Sequence, residues 1–396
     1  MSTEPSAPTF DLLLKGGRVI DPRNGIDAAM DVAISGSKIA AVSSDIPAAS
    51  ARRTVDVSGM VVTPGLIDLH AHFFGYFGAV YPDTHCLPYG TTTAVDAGGA
   101  GHFTFDEFNE SVIQTSRVRV FALLNIAGLG MTGQPEQDLT GMSAELATAK
   151  IKQRPDVIVG LKVAHYSGPG WQPLDRAVQA ARETGTFVMV DQTPIASRTM
   201  DDMMLKHLGP GDVVTHCYAF SKPMTNPDWS LKDYFRQARE RGVQFDIGHG
   251  AGSFSFKIAQ AAIDAGFTPD TVSTDLHKHS FLANQATMTE TMTKLLACGM
   301  ELPDIVAKST WAPAQQIRQP EIGHISVAAE ADIAVLRVEE GELGLTDNGN
   351  TGHRVRRATR RITCQLTLKG GAVVWDANGR AHDDWRETPP ADGTLP

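Results

Sequence analysis

The stretch "VVTPGLIDLHAH", residues 61–72, decides the fold. Pro64 and Gly65 break an apolar run, and a second buried run follows that reads as a short strand. That strand ends on His70 and His72, one residue apart. Side chains alternate along a strand, so both imidazoles point to the same face, at the strand's C-terminal end.

The pattern repeats along the chain. Seven further short runs rich in β-branched residues lie at 91–99, 117–128, 156–165, 186–193, 212–218, 243–250 and 271–277. Helical spacing falls between several of them, most clearly at 173–185 ("PLDRAVQAARETG") and 231–242 ("LKDYFRQARERG"). Strand–helix alternation repeated eight times predicts an α/β fold, a (β/α)8 TIM barrel.

The ends of the chain read differently. Residues 1–60 hold β runs and hairpin signals such as "SGSK", and residues 323–396 return to strands and turns. The expected organisation is a barrel over 61–322 and one small β-sandwich domain built from 1–60 and 323–396. The tail "DDWRETPPADGTLP" reads as loosely ordered. The run "HRVRRATRR" (353–361) carries five arginines. It reads either as an anion-binding patch or, more simply, as the solvated face of a strand.

The chain has 396 residues, 42% of them hydrophobic and 20% charged, with a formal net charge of −10. That excess of acid argues against nucleic acid and against anionic membranes as partners, and favours a small-molecule substrate. No stretch approaches the roughly 20 apolar residues of a membrane span, and the N-terminus lacks the pattern of a secretory signal. Cys86, Cys217, Cys298 and Cys364 are scattered, with no CxxC pair, as free thiols in a reducing compartment would be. A cytoplasmic protein is expected.

Of 13 histidines, His70, His72, His165, His216, His249 and His277 fall at or near the C-terminal ends of expected barrel strands. Barrel active sites form at that face. One strand-end histidine is ordinarily a core residue, but six on one rim suggest a site. Lys162 ("GLKVAH") lies between apolar neighbours near the end of the fourth strand. A bare ammonium there is costly, so it either pairs with an acid or is neutralised as a carbamate. Asp275 ("STDLH") ends the eighth strand, where a carboxylate can touch a metal and shuttle a proton.

Three stretches carry a resemblance: "LLLKGGRVIDPRNG", "VVTPGLIDLHAH" and "GHISVAAEADIAVL". With "GDVVTHCY", "FDIGHGAGSFSF" and "STDLH", they make the chain resemble the amidohydrolase superfamily, in its amidohydrolase/deacetylase subgroup close to dihydroorotase. The resemblance spans nearly the whole chain. It implies one or two metal ions, usually zinc, with other divalent ions as alternatives. His70, His72 and Asp275 would hold the first ion. Lys162, carboxylated on its side-chain nitrogen, would bridge, and His216 with a fifth-strand histidine would hold the second. A metal-bound hydroxide would attack the carbonyl of an amide or ester, with Asp275 shuttling the proton. It also implies a homo-oligomer, dimer or higher. By the same resemblance His249 lines the substrate pocket, with Tyr166, Ser253, His277 and His165 as further candidates, and Asp96 stands behind the ligands.

The chain departs from this pattern at "FVMVDQTP" (187–194), where Asp191 stands at the expected histidine. Asp191 could itself be a ligand of the second ion. Alternatively the second ion is absent, and Asp191 binds substrate or pairs with Lys162. His165 could also supply the missing imidazole. A deacylase is favoured over a cyclic amidase. A metal-dependent lyase or decarboxylase is the rival in another class, and a ligandless scaffold is the rival outside catalysis. Retention of His70, His72 and Asp275 argues against the scaffold.

Overall fold

Pro64 and Gly65 divide two strands that belong to different sheets. In the computed structural model, which describes residues 8–191, 194–347, 349 and 354–386, the chain begins with β1 (Phe10–Asp21), β2 (Ile26–Ser35), β3 (Lys38–Ser43), β4 (Ala51–Asp56) and β5 (Val61–Pro64). After Gly65 the barrel strands follow: β6 (Leu66–Ala71), β7 (Thr91–Gly101), β8 (Arg119–Asn125), β9 (Ile158–Ala164), β10 (Phe187–Asp191), β11 (Val213–Val214) and β12 (Gln244–Phe245). The chain closes with β13 (Ile333–Asp347), β14 (Arg354–Lys369) and β15 (Ala372–Asp376). Gly65 is required at the crossing, because a Cβ there would stand 2.0 Å from Thr92 Oγ1.

The barrel strands pair in parallel, in the order β6 to β12. The fold is TIM-barrel-like, but the expected eighth strand forms no ladder. Residues 271–277 make isolated parallel bridges instead, Thr271 to Asp246 on one side and Leu276 to Ala71 on the other. Backbone bonds still tie it to both neighbours, His249 N–H to Ser273 O and Gly250 N–H to Thr274 O on one side and His72 N–H to Leu276 O on the other, and a side chain adds to them. Buried Asp68 on β6 accepts hydrogen bonds from the backbone N–H groups of Thr274, at 3.0 Å, and His70, at 3.2 Å, and from Thr274 Oγ1. The sixth and seventh strands are likewise shorter than 212–218 and 243–250.

Inside the barrel, Ile67, Leu69, Val95, Phe121, Phe187 and Met189 form one core beneath the rim. Leu66, Leu161, Val188 and Val190 pack outward with helix residues such as Leu174 and Ala177. The expected helices run Gln172–Thr184 and Asp233–Glu240.

Both chain ends meet in one eight-stranded sheet, in the order β15-β14-β13-β5-β1-β2-β3, with β4 beside β1. Leu14, Val32, Val62, Ile333, Val335 and Leu366 form its core. All four cysteines are free and buried. No helix among the described residues is long and apolar enough to cross a membrane. On β14, Arg357 and Arg360 face solvent, while Arg356 donates to Ala297 O and Gln260 Oε1. Arg361 pairs with buried Glu290 at 3.7 Å, so the arginine run reads as a solvated face with two structural members. His353, residues 1–7, Gln192 and Thr193, and the tail beyond Arg386 lie outside the described residues.

Candidate active site

His70 and His72 end β6 with their rings 5.3 Å apart, centroid to centroid. The rim residues opposite them lie where strands have stopped. His165, His216 and Asp275 all adopt positive φ (56°, 59° and 49°). Left-handed backbone at non-glycine residues costs free energy, and three cases on one barrel rim mark a built site.

His70, His72 and Asp275 each offer a ligand atom, and these atoms lie within 4.8 Å of one another. Asp275 Oδ1 is 3.0 Å from His72 Nε2 and 3.5 Å from His70 Nε2. The ring of His70 is fixed from behind. Its Nδ1 lies 2.9 Å from Thr215 Oγ1, and that hydroxyl donates at 2.8 Å to the buried carboxylate of Asp246. With its own proton committed to Asp246, Thr215 is the acceptor and His70 Nδ1 carries the hydrogen. His70 Nε2 therefore turns a lone pair toward Asp275, itself an acceptor. His72 Nδ1 is buried with no hydrogen-bond partner among the described residues. Two imidazoles and a carboxylate gathered in a buried site, with the His70 lone pair turned to the carboxylate, are what a divalent cation satisfies. Burial raises the Asp275 carboxyl, but the hydrogen bond from His72 and the nearby imidazoles outweigh it, and its pKa is lowered.

A second group adjoins the first. Lys162 is fully buried, and its Nζ lies 3.0 Å from His70 Nε2. Burial lowers its pKa, partly offset by Asp191 and Asp275. It makes no ion pair with an acid among the described residues, so the alternative in which Asp191 pairs with Lys162 is not what the structure shows. Asp191 pairs instead with Lys222, whose Nζ donates to Oδ1 at 2.8 Å. Asp191 Oδ2 is 3.1 Å from His216 Nε2 and 3.8 Å from His165 Nε2. His216 Nδ1 donates to Gly248 O at 2.5 Å. Burial would raise the Asp191 carboxyl, yet the charges of His216 and Lys222 hold it well below the usual carboxylate range.

The expected substrate-side residues divide. His165 is half exposed, and its Nδ1 contacts Glu136 Oε2 at 3.2 Å, which raises its pKa. His277 caps the helix Lys278–Asn284 by accepting from the His279 and Ser280 N–H groups, and burial lowers its pKa to about 4. His249 is fully buried, 2.6 Å from Lys294 Nζ and stacked on Phe254. Tyr166 is buried, and Ser253 is partly exposed. Asp96 accepts from the Phe73 and Gly99 N–H groups and so holds the loop after β6. Sequence reasoning passed over Lys222, Thr215, Asp246, Glu136, Lys294 and Tyr76. Tyr76 stacks against His72 at 4.8 Å, and burial raises its pKa to about 12, so it remains a phenol.

A family model described as the amidohydrolase family matches residues 61–352. A deacetylase of Agrobacterium fabrum is 33% identical over 83% of this chain and 84% of its own length. A crystal structure of an adenine deaminase superposes with a TM-score of 0.84 at 31% identity, over 93% of this chain and all of that one. A crystal structure of a dihydroorotase does so with a TM-score of 0.82 at 30% identity, over 92% of this chain and 99% of that one.

Proposed function

The chain belongs to the amidohydrolase family, a hydrolase acting on carbon–nitrogen bonds, and from that premise we propose that it is a metal-dependent deacylase, removing an acetyl or similar acyl group from a small carboxylic acid. The observation that carries the proposal is the convergence of His70, His72 and Asp275 within 4.8 Å. Those three residues would hold a divalent ion, zinc by the chemistry of two imidazoles and a carboxylate. Such an ion supplies water of lowered pKa and polarises the scissile carbonyl.

The chain's own residues supply the rest. Asp275, held in its ionised form, accepts the proton released from water and passes it to the leaving nitrogen or oxygen. The Thr215–Asp246 relay keeps the His70 lone pair inward. Tyr76 offers a phenolic hydrogen beside His72, placed to bond the substrate's carbonyl oxygen. His165 is half exposed, and its contact with Glu136 raises its pKa, which suits a substrate carboxylate. The buried residues His249, Tyr166 and His277, with Ser253, shape the pocket wall.

The proposal extends to organisation. The end sheet folds over its core as a small sandwich from 1–60 and 323–396 together with β5, which the expected boundary at 61 left to the barrel, and the barrel strands begin at Leu66. The four buried free thiols favour a cytoplasmic enzyme, and a homo-oligomer is proposed.

Product analysis tests the reading. N-acetyl amino acids, O-acetyl hydroxy acids, dihydroorotate and adenine are supplied in turn. Acetate release from the acetylated acids is expected. Ring opening of dihydroorotate alone points to a cyclic amidase, and ammonia from adenine alone points to a deaminase; either result overturns deacylation.

A further inference from the structure

Lys222 follows the sixth barrel strand on a loop, yet only 7% of it is exposed. A nearly buried ammonium requires a counter-charge, and Asp191 provides it at 2.8 Å. The other oxygen of Asp191 contacts His216. We propose that Lys222 supplies, from the chain itself, the positive charge that a second divalent ion would bring beside His216, so that the site holds a single ion on His70, His72 and Asp275. This inference rests on the metal-dependent reading above and specifies its stoichiometry.

Three observations support it. The first concerns donors. Among the described residues, His70, His72 and Asp275 are the histidine and carboxylate donors that converge as a group of three. His216 and Asp191 make only a pair. Lys162 adjoins them, but its nitrogen is turned to His70 Nε2 at 3.0 Å. His165 stands farther off, 3.8 Å from Asp191, and is engaged by Glu136.

The second concerns charge. A second ion beside His216 would share Asp191 with an ammonium already bonded to it at 2.8 Å, setting two cations against each other across one carboxylate.

The third concerns the substitution at the fifth strand. A neutral histidine at position 191 would leave Lys222 buried without a counter-charge. Aspartate at 191 and lysine at 222 therefore make sense together, as a pair. Lys222 acts here as a positioning residue: it holds Asp191 against His216, whose other nitrogen is fixed on Gly248 O at 2.5 Å.

The test is zinc binding to the full-length, chelator-stripped protein, by calorimetry and elemental analysis after gel filtration. Wild type is expected to take one equivalent, and its manganese form to give an uncoupled mononuclear resonance spectrum. Lys222→Met frees Asp191 and is expected to take two. Lys222→Gln, which keeps a hydrogen bond to Asp191 but no charge, serves if the Met variant does not fold, with the same expectation. Two equivalents in wild type overturn the inference while leaving the metal-dependent reading intact. One equivalent in both wild type and variants overturns the role of Lys222. No binding in wild type overturns both readings.

Discussion

His70 Nδ1 lies 2.9 Å from Thr215 Oγ1, and this contact decides which ring nitrogen faces the site. Because Thr215 spends its hydrogen on Asp246, it can only accept from His70. Replacing Thr215 with valine keeps the shape and removes the acceptor. The expected result is a roughly 10–100-fold loss of metal affinity. Isothermal titration with zinc checks it, and unchanged affinity would remove the relay from the account.

Asp275 is the proton carrier. Asp275→Asn keeps the side chain's size and one oxygen but removes the base. Turnover is expected to fall by about 10²–10⁴-fold, with the substrate's KM changing far less. Equal losses in binding and turnover would instead mark Asp275 as a substrate contact.

Asp68 closes the barrel by linking β6 to the eighth segment, through bonds to Thr274 and His70. Asp68→Ala leaves those donors buried and unpaired. A stability loss of about 3 kcal/mol is expected from urea unfolding. A loss within experimental error would mean the bridges at Thr271 and Leu276 close the barrel unaided.

Lys294 gives a pH signature remote from the proposed ligands. Its Nζ contacts His249 and donates to Thr346 O, and burial lowers its pKa from 10.5 to about 8. The folded state therefore binds fewer protons than the unfolded state between these values, so this group's contribution to stability rises with pH across that window. Relative to Lys294→Met, wild type should gain about 3 kcal/mol between pH 8 and 10.5. Unfolding at several pH values measures the difference, and a flat one contradicts the burial argument.

Much of this was legible in the sequence, for physical reasons. His70 and His72 were found because strand alternation has a strict period, and Asp191 stood out against the pattern around it. The eighth strand was legible as a place in the alternation but not as a ladder: it keeps backbone bonds and single bridges to both neighbours, but Asp275 turns to positive φ within it. Lys222 was not legible. It sits in a loop, where no period announces which residues turn inward. Lys294 was not legible either: it lies on the helix Met288–Ala297, which is covered on almost every side. The Thr215–Asp246 relay joins residues from different strands, a distance that sequence spacing does not report.

The central claim is hydrolysis that depends on an ion held by His70, His72 and Asp275. The most direct measurement is acetate release from an acetylated carboxylic acid, before and after chelator dialysis, with zinc measured in the same samples. The account predicts that release falls to background as zinc is lost and returns when zinc is restored, and that His72→Ala neither retains zinc nor recovers. Full release by the zinc-free protein would contradict it.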